Sequence, residues 1–476
     1  SNKLLNVIDG NNDATTTLGD FRTSANSPNY NNGGPKSADS ADYNYDVNGN
    51  LTRDLNKDIG TSSNDGILYN HLNLPWQVTM QAAAGQGVSG VKGTITYIYD
   101  AAGNKLEKRV IDNSNASHTG IKDTTDYMGA FQYHNDTLQF FGHEEGRVRL
   151  KLDTINSVPA THFEYDYFLK DHLGNTRSVL TDEQETDPYP AATMETANAA
   201  TEDLYYSQID ATRTALPAGY PTDNTTDPNA YVAKVSGAEG GNKIGPGITL
   251  KVMAGDQFNL KVSSWYSAGG TTPATPVASP LTDLVTALIA GVGSLSPGGM
   301  HLSPTDLAGV SSTVITPNVT DFLTDQSDGA NTTKPLAYVN WVLFDDQMNY
   351  VASSSGFEQV GDDNVLTQTV KTSMPIDKNG YLYIYTSNET PNIDVFFDNL
   401  QVTVVRGPLT EENHYYPFGL TMYGISDRAL KTNYAQNKYM YNKGTELQNK
   451  EFSDQSGLEI YQTEFRSYDP QLGRFL

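Results

Sequence analysis

Three stretches of this chain share one wording: Tyr43-Asn44-Tyr45-Asp46-Val47-Asn48-Gly49-Asn50, then Tyr97-Ile98-Tyr99-Asp100-Ala101-Ala102-Gly103-Asn104, and in shortened form Asp171-His172-Leu173-Gly174-Asn175-Thr176-Arg177. A small recurring unit constrains the fold strongly, because one copy buries too little surface alone and must stack on its neighbours. Tyrosines at i and i+2 lie on one face of a strand, where the ring covers apolar neighbours and the hydroxyl reaches a polar partner. Asp then opens a turn by accepting backbone N–H groups further on, and Gly-Asn supplies positions that tolerate positive φ. Each copy therefore predicts a strand, a tight turn and a returning strand. A calcium loop built from Asp46, Asn48 and Asn50, or from Asp100 and Asn104, is disfavoured. Such loops need more carboxylates and a bidentate Glu.

At 476 residues the chain has room for two or three domains. Its 31 Lys and Arg against 56 Asp and Glu give a net charge of −25, which argues against nucleic acid or an anionic membrane surface as partner. The chain has no cysteine, so disulfides, Cys-ligated zinc and thiol catalysis are excluded. The longest apolar stretch, Leu281 to Val292, includes Thr and Asp and falls short of the ~20 residues of a membrane span. Ser1 does not open a charged-then-apolar leader, so any targeting signal is expected outside this sequence.

Three segments follow from the change of style along the chain. Residues 1–185 alternate short Tyr-, Val- and Ile-rich strands with Gly, Asn and Asp turns, and two polar stretches, 10–36 and 113–125, read as loose. Residues 186–411 lose the repeat and carry longer two-sided strands, the pattern of a β-sandwich, with one expected helix at Asp283 to Ala290. Residues 186–412 hold 9 basic and 25 acidic residues, a net of −16 against −9 for the rest, so the insert is the more acidic module. Residues 412–476 return to the first style, with Tyr416-Pro417-Phe418-Gly419 and Tyr468-Asp469-Pro470-Gln471-Leu472-Gly473-Arg474-Phe475. A pattern interrupted and resumed predicts one domain inserted into a loop of another.

The two Tyr-Asp units, the Asp171-to-Arg177 segment, the Tyr-Pro-Phe-Gly motif and the closing Tyr-Asp-Pro segment, in this order, resemble the Rhs or YD-repeat family and its repeat-associated core, over roughly 40–184 and 412–476. That resemblance implies an all-β fold: a YD-repeat β-ribbon spiral forming part of an Rhs shell, interrupted by an inserted jelly roll. It also implies a structural function, encapsulating or displaying a C-terminal toxin or effector. Its implied partners are the remainder of the same polypeptide and a secretion translocon. The wording is most similar to Bacteroidota members, exported through a type 9 system to the cell surface or medium. The chain ends where family members continue toward a self-cleavage region and toxin, so it reads as a segment of a larger protein. The insert separately resembles carbohydrate-binding-module-like jelly rolls, through Ala192-Thr193-Met194-Glu195 and Val395-Phe396-Phe397-Asp398-Asn399-Leu400. There the first and last strands lie side by side, which nominates Glu195 and Asp398 for a structural calcium, the sole cofactor implied. Solvated or capped strand-end acids are the other reading.

No catalytic constellation emerges, and the chain reads as a non-enzyme. Its eight histidines form neither His-x-x-x-His nor His-Glu-x-x-His, and no Gly-x-Ser-x-Gly elbow is present. His172 is expected to hold a turn, and Asp345-Asp346 and Asp362-Asp363 to border strands. Trp265, Tyr266 and Trp341 offer flat rings for a sugar, which supports a second reading as a surface adhesin whose insert binds glycan. Core packing is the other reading of strand-borne Trp.

Overall fold

The computed structural model describes residues 3–8, 21, 41–82, 90–115, 120–155, 158–223, 225, 227–276, 284–286, 312–422, 425–429, 434–463 and 466–476. The chain is mostly β, in several antiparallel sheets. It divides into two compact units. The first comprises 1–182, 411–426 and 435–476, and the second 183–410 and 427–434.

The first unit opens with a hairpin of β1 (Tyr43–Tyr45) and β2 (Leu51–Asp54). Among the described residues ten strands follow, each antiparallel to the next: β3 (Ile67–Tyr69), β4 (Pro75–Gln81), β5 (Val91–Tyr99), β6 (Lys105–Asp112), β7 (Ile121–Met128), β8 (Phe131–His134), β9 (Thr137–His143), β10 (Gly146–Ile155), β11 (Val158–Lys170) and β12 (Thr176–Thr181). Part of the stretch read as loose, 113–125, is thus strand from Ile121 onward. Its Thr and Asp residues pair with β6, so the ladder to the neighbouring strand, not their own propensity, fixes them. Most of 10–36 lies outside the described residues.

The second unit begins at β13 (Thr186–Pro188). It continues through α1 (Ala199–Glu202), α2 (Ile209–Thr212), β14 (Arg213–Ala215), β15 (Tyr231–Val235), β16 (Ile244–Val252), β17 (Gln257–Trp265), α3 (Ser312–Asp328), β18 (Ala337–Asp345), β19 (Gly356–Gln359), β20 (Thr367–Pro375), β21 (Gly380–Asn388) and β22 (Val395–Val405). One sheet runs β14-β15-β22-β17-β20 with β13 on β22, and the other β16-β21-β18-β19. They face each other across a core that includes Ile248, Leu250, Val262, Leu343, Ile384 and Val402, which makes a β-sandwich. The alternate residues of the second sheet, Val342, Phe344, Tyr383 and Tyr385, are buried too, under Ile315, Val319 and Phe322 of α3. Strands covered on both faces explain the two-sided apolar runs.

Helix α3 corrects the sequence expectation of a single helix at 283–290. Only 284–286 of that expected helix are described, and they are helical. The 17 residues of α3 are rich in Thr and Val and contain Pro317, so propensity alone argues against a helix. The signal that reveals it is spacing: Ile315, Val319, Phe322 and Gln326 are all buried, at i, i+4, i+7 and i+11.

The insert's entry and exit are pinned together. Arg406, at the end of β22, donates through Nε to Asp187 (2.6 Å) and through Nη1 to Asp256 (3.1 Å) with all three side chains buried. Residues 427–434, expected with the first unit's style, pack with the second. Asp427 meets the buried Lys251 at 2.8 Å, and Tyr434 reaches Thr410 at 3.1 Å.

After β23 (Leu409–Glu412) and β24 (Asp427–Arg428), the chain forms a small sheet in the first unit: β25 (Tyr439–Tyr441), β26 (Thr445–Gln448), β27 (Ile460–Gln462), β28 (Ser467–Asp469) and β29 (Arg474–Phe475). Phe452, Leu458 and Ile460 of this region join Ile67, Val78, Ile95 and Val110 of the meander in one core. Beside it lies a polar layer. Lys105 Nζ meets Glu446 Oε2 at 2.6 Å and Gln462 Oε1 at 2.8 Å, and Tyr127 donates to the other oxygen of Glu446 at 3.0 Å. Further along, the sheet turns its polarity around. On β11, Phe163, Tyr165, Tyr167 and Leu169 are exposed, while Asp166 is 0% exposed and takes Nε of both Arg147 (2.8 Å) and Arg149 (2.7 Å).

Candidate functional site

The repeat residues fold into three copies of one turn. In each, Asp Oδ1 accepts the N–H of the Asn four residues on, at 2.8 Å for Asp46, 2.8 Å for Asp100 and 3.0 Å for Asp171. Oδ2 takes that Asn's Nδ2, at 2.8, 2.8 and 2.9 Å. The intervening Gly49, Gly103 and Gly174 sit at φ of 90°, 91° and 82°, and each adjoins a register shift, the form of a type I turn closed by a one-residue bulge. Only glycine enters that conformation cheaply. The tyrosines divide the work: Tyr43 and Tyr97 are buried in the core, while Tyr45 accepts the Leu4 N–H and Tyr99 donates to the Pro75 carbonyl.

His172 does not hold its turn. It is exposed, and Asp171 does the holding, with Arg177 Nε on its Oδ2 at 3.0 Å. The Tyr416-to-Leu420 turn keeps the backbone form without a carboxylate, with Gly419 at φ 88°. Its Pro417 carbonyl takes the Tyr441 hydroxyl and its Phe418 carbonyl the Tyr468 hydroxyl. Asp469 opens the last turn by accepting the Gln471 N–H (2.8 Å), with Pro470 between them, Gly473 at φ 65° and Arg474 paired across the hairpin. Phe475 packs on Tyr468 at 5.1 Å. Two further copies escaped the motif: Asn70 to Leu74, where Asn73 stands at φ 59°, and Asp345 to Asn349 in the second unit, where Met348 stands at φ 63° in place of Gly.

These bonds leave an acid signature. Burial raises the Asp171 carboxyl, but the Asn175 side chain and backbone, the Leu173 N–H and Arg177 outweigh it and hold the group at about 2. A carboxyl depressed below its usual ~3.9 stabilises fully above that value, and the gain is lost as pH falls through about 2. The unfolding free energies of the parent and of Asp171→Asn should therefore differ by on the order of 1 kcal/mol above pH ~4 and converge below it. A constant gap down to acid pH would show that the charge is not what holds the turn.

The metal candidates lie together at one end of the sandwich. Ala192 pairs with Leu400, and continuing that register sets Met194 and Glu195 beside Asp398. Left-handed backbone at Met194 (φ 63°) and Asn399 (φ 55°) kinks both strands there. Glu195 is buried and its Oε1 accepts the Ala230 (2.6 Å) and Tyr231 (3.0 Å) N–H groups. Asp398 is 1% exposed. Its Oδ1 accepts the Asn399 N–H, while Oδ2 is buried with no hydrogen-bond partner. Asp223 Oδ2 and Asn229 Oδ1 are likewise buried and unpartnered. Burial pushes the Asp398 carboxyl up to about 8; the Asn399 N–H opposes this, and the charges of Asp223, Glu195 and Glu202 add to it. Glu202 is not orphaned, since its oxygens take the N–H groups of Thr193 (2.8 Å) and Met194 (3.2 Å) and so shape the opening strand. Among the described residues no three acidic or histidine side chains converge to ligating distance. The set is instead the two carboxylates of Glu195 and Asp398, with Asp223 close enough to act on Asp398 by its charge, and a hard cation there would be completed by neighbouring loop oxygens, backbone carbonyls and water. Asp223 and Asn229 were missed in the sequence because they lie on an Asp- and Asn-rich loop that reads as an ordinary turn.

The sugar platform does not survive. Trp265, Tyr266 and Trp341 are 2%, 4% and 5% exposed; Tyr266 and Trp341 lie in the sandwich core, while Trp265, the residue before Tyr266, is buried outside that core. Trp265 is flanked by Tyr220 and Phe396, and Lys371 lies over the Trp341 ring. Among the described residues no helix is long and apolar enough to cross a membrane. No protein-family model matches the chain, and no curated protein matches it.

Proposed function

We propose that this chain is a wall segment of an exported Rhs-type shell, a β-ribbon that encloses or displays an effector carried elsewhere in the same polypeptide. In this reading the β-sandwich is an inserted jelly roll. The observation that carries it is the recurrence of one turn, bond for bond, at Asp46, Asp100 and Asp171, within a first unit whose strands each pair with the next. Repetition of a hairpin unit extends a ribbon without adding a site.

A calcium ion would be held in the jelly roll by Glu195, Asp398, Asp223 and Asn229, where it supplies positive charge to a buried cluster of acids. Its role there is to clamp the first and last strands of the insert. Glycan adhesion through the insert would need a platform other than Trp265, Tyr266 and Trp341.

The direct test is intact mass measurement with terminal peptide mapping of the protein from its native source. The expected result is a mass well above 51.9 kDa with peptides following Leu476. A native end at Leu476 in a free, monodisperse protein would remove the shell reading.

A further inference from the structure

The first unit holds a cavity of about 250 Å³ between the inner face of the meander and β25. It lies near the lower end of the ~300–1,000 Å³ usual for small-molecule sites. Its walls are aromatic. Phe140 stands edge-on to Tyr439 at 6.0 Å and carries the Arg147 guanidinium at 5.2 Å over its ring. Tyr127 and Phe168 complete the lining.

Two polar groups face this apolar box without protein partners. The Tyr439 hydroxyl donates to Gln132 Oε1 at 2.8 Å, which orients the amide and leaves its Nε2 as a donor with no acceptor among the described residues. Lys170 is exposed, lies over Phe168 at 5.9 Å, and has no carboxylate partner among the described residues. In a chain of net charge −25 an unpaired ammonium beside an aromatic cavity is a local exception.

The space itself is built in. Gly142 is paired with Arg147 and shares its inner face, yet a Cβ at Gly142 would meet nothing within 4 Å, and the backbone there is extended. Any side chain at 142 would project into the cavity without strain.

We propose that this cavity binds a small aromatic carboxylate, whose ring lies among Phe140, Phe168 and Tyr439 and whose carboxylate is met by Lys170 and the Gln132 amide. Ring contacts of this kind contribute about 0.5–1.5 kcal/mol each beyond burial. The charge-assisted bond to Lys170 sets the sign of the ligand.

The test uses the full chain and two probes with the same ring and opposite charge, indole-3-acetate and tryptamine, followed by calorimetry and saturation-transfer NMR. Indole-3-acetate should bind at least tenfold more tightly than tryptamine, although the chain's overall charge favours the cation. Lys170→Ala should weaken indole-3-acetate about tenfold, and Gly142→Val should abolish its binding with the melting temperature unchanged. Equal binding of the two probes, binding of neither, or binding indifferent to Gly142→Val would each overturn the proposal.

Discussion

Asp166→Ala is expected to destabilise the first unit by about 3–5 kcal/mol, because it strands two buried guanidinium groups at once. Asp166 is fully buried, and Arg147 and Arg149 are 2% and 5% exposed, so water does not replace the lost carboxylate. The mechanism is desolvation rather than the worth of the ion pairs themselves. Two comparisons separate these. Glu358→Ala, which breaks a half-exposed pair with Lys371, should cost no more than about 1 kcal/mol. The triple change Arg147→Met, Arg149→Leu, Asp166→Leu should recover most of the loss, since apolar residues of similar volume carry no charge to bury. Denaturant titration of the four proteins measures this. A cost for Asp166→Ala as small as that for Glu358→Ala would mean that the inner face is wet.

Chelation of calcium is expected to lower the melting temperature of the second unit by roughly 8–16 °C. That figure combines ~4 kcal/mol for an ion held at a thousandfold over its Kd with ~2–4 °C per kcal/mol for a unit of this size. Asp398→Asn should abolish the calcium dependence. In chelator it should also melt no lower than the parent at neutral pH, because without the ion burial already keeps the Asp398 carboxyl mostly protonated, and Asn exchanges one neutral polar group for another. Magnesium should substitute poorly, since it demands a tighter octahedron than this mixed set offers. Calorimetry with and without chelator decides it, and identical melting in both would leave Glu195 and Asp398 as capped strand-end acids.

Some of this was legible in the residues. The Asp-x-x-Gly-Asn turns could be read in detail, because every bond in them is local and the glycine declares its own φ. Glu195 and Asp398 were paired only by the resemblance to jelly rolls whose first and last strands lie side by side, and the Ala192–Leu400 bridge brings their segments together. What the sequence hid was set by tertiary cover. Helix α3 was masked by Thr, Val and Pro317, whose propensities are overridden by the apolar sheet face beneath. The burial of Trp341 depends on which sheet face points inward, and that of Trp265 on the Tyr220 and Phe396 rings beside it, neither of which one strand can disclose. On β11 that rule inverts, with rings outside and Asp166 inside, so alternation alone does not name a strand's inner face.

The pairing of Lys105 with Glu446 joins residues 341 positions apart. At about 5–20 residues per second, a ribosome needs roughly 17–70 s to travel from one to the other. During that interval the early hairpins exist without the chain that will cover them, and Lys105 has only the Tyr97 and Tyr127 rings and water beside it. The local turns, which close within microseconds, are what hold the half-built sheet in register while the sandwich is synthesised. A slow codon or a misfolding event inside the insert would therefore be felt in strands finished long before it.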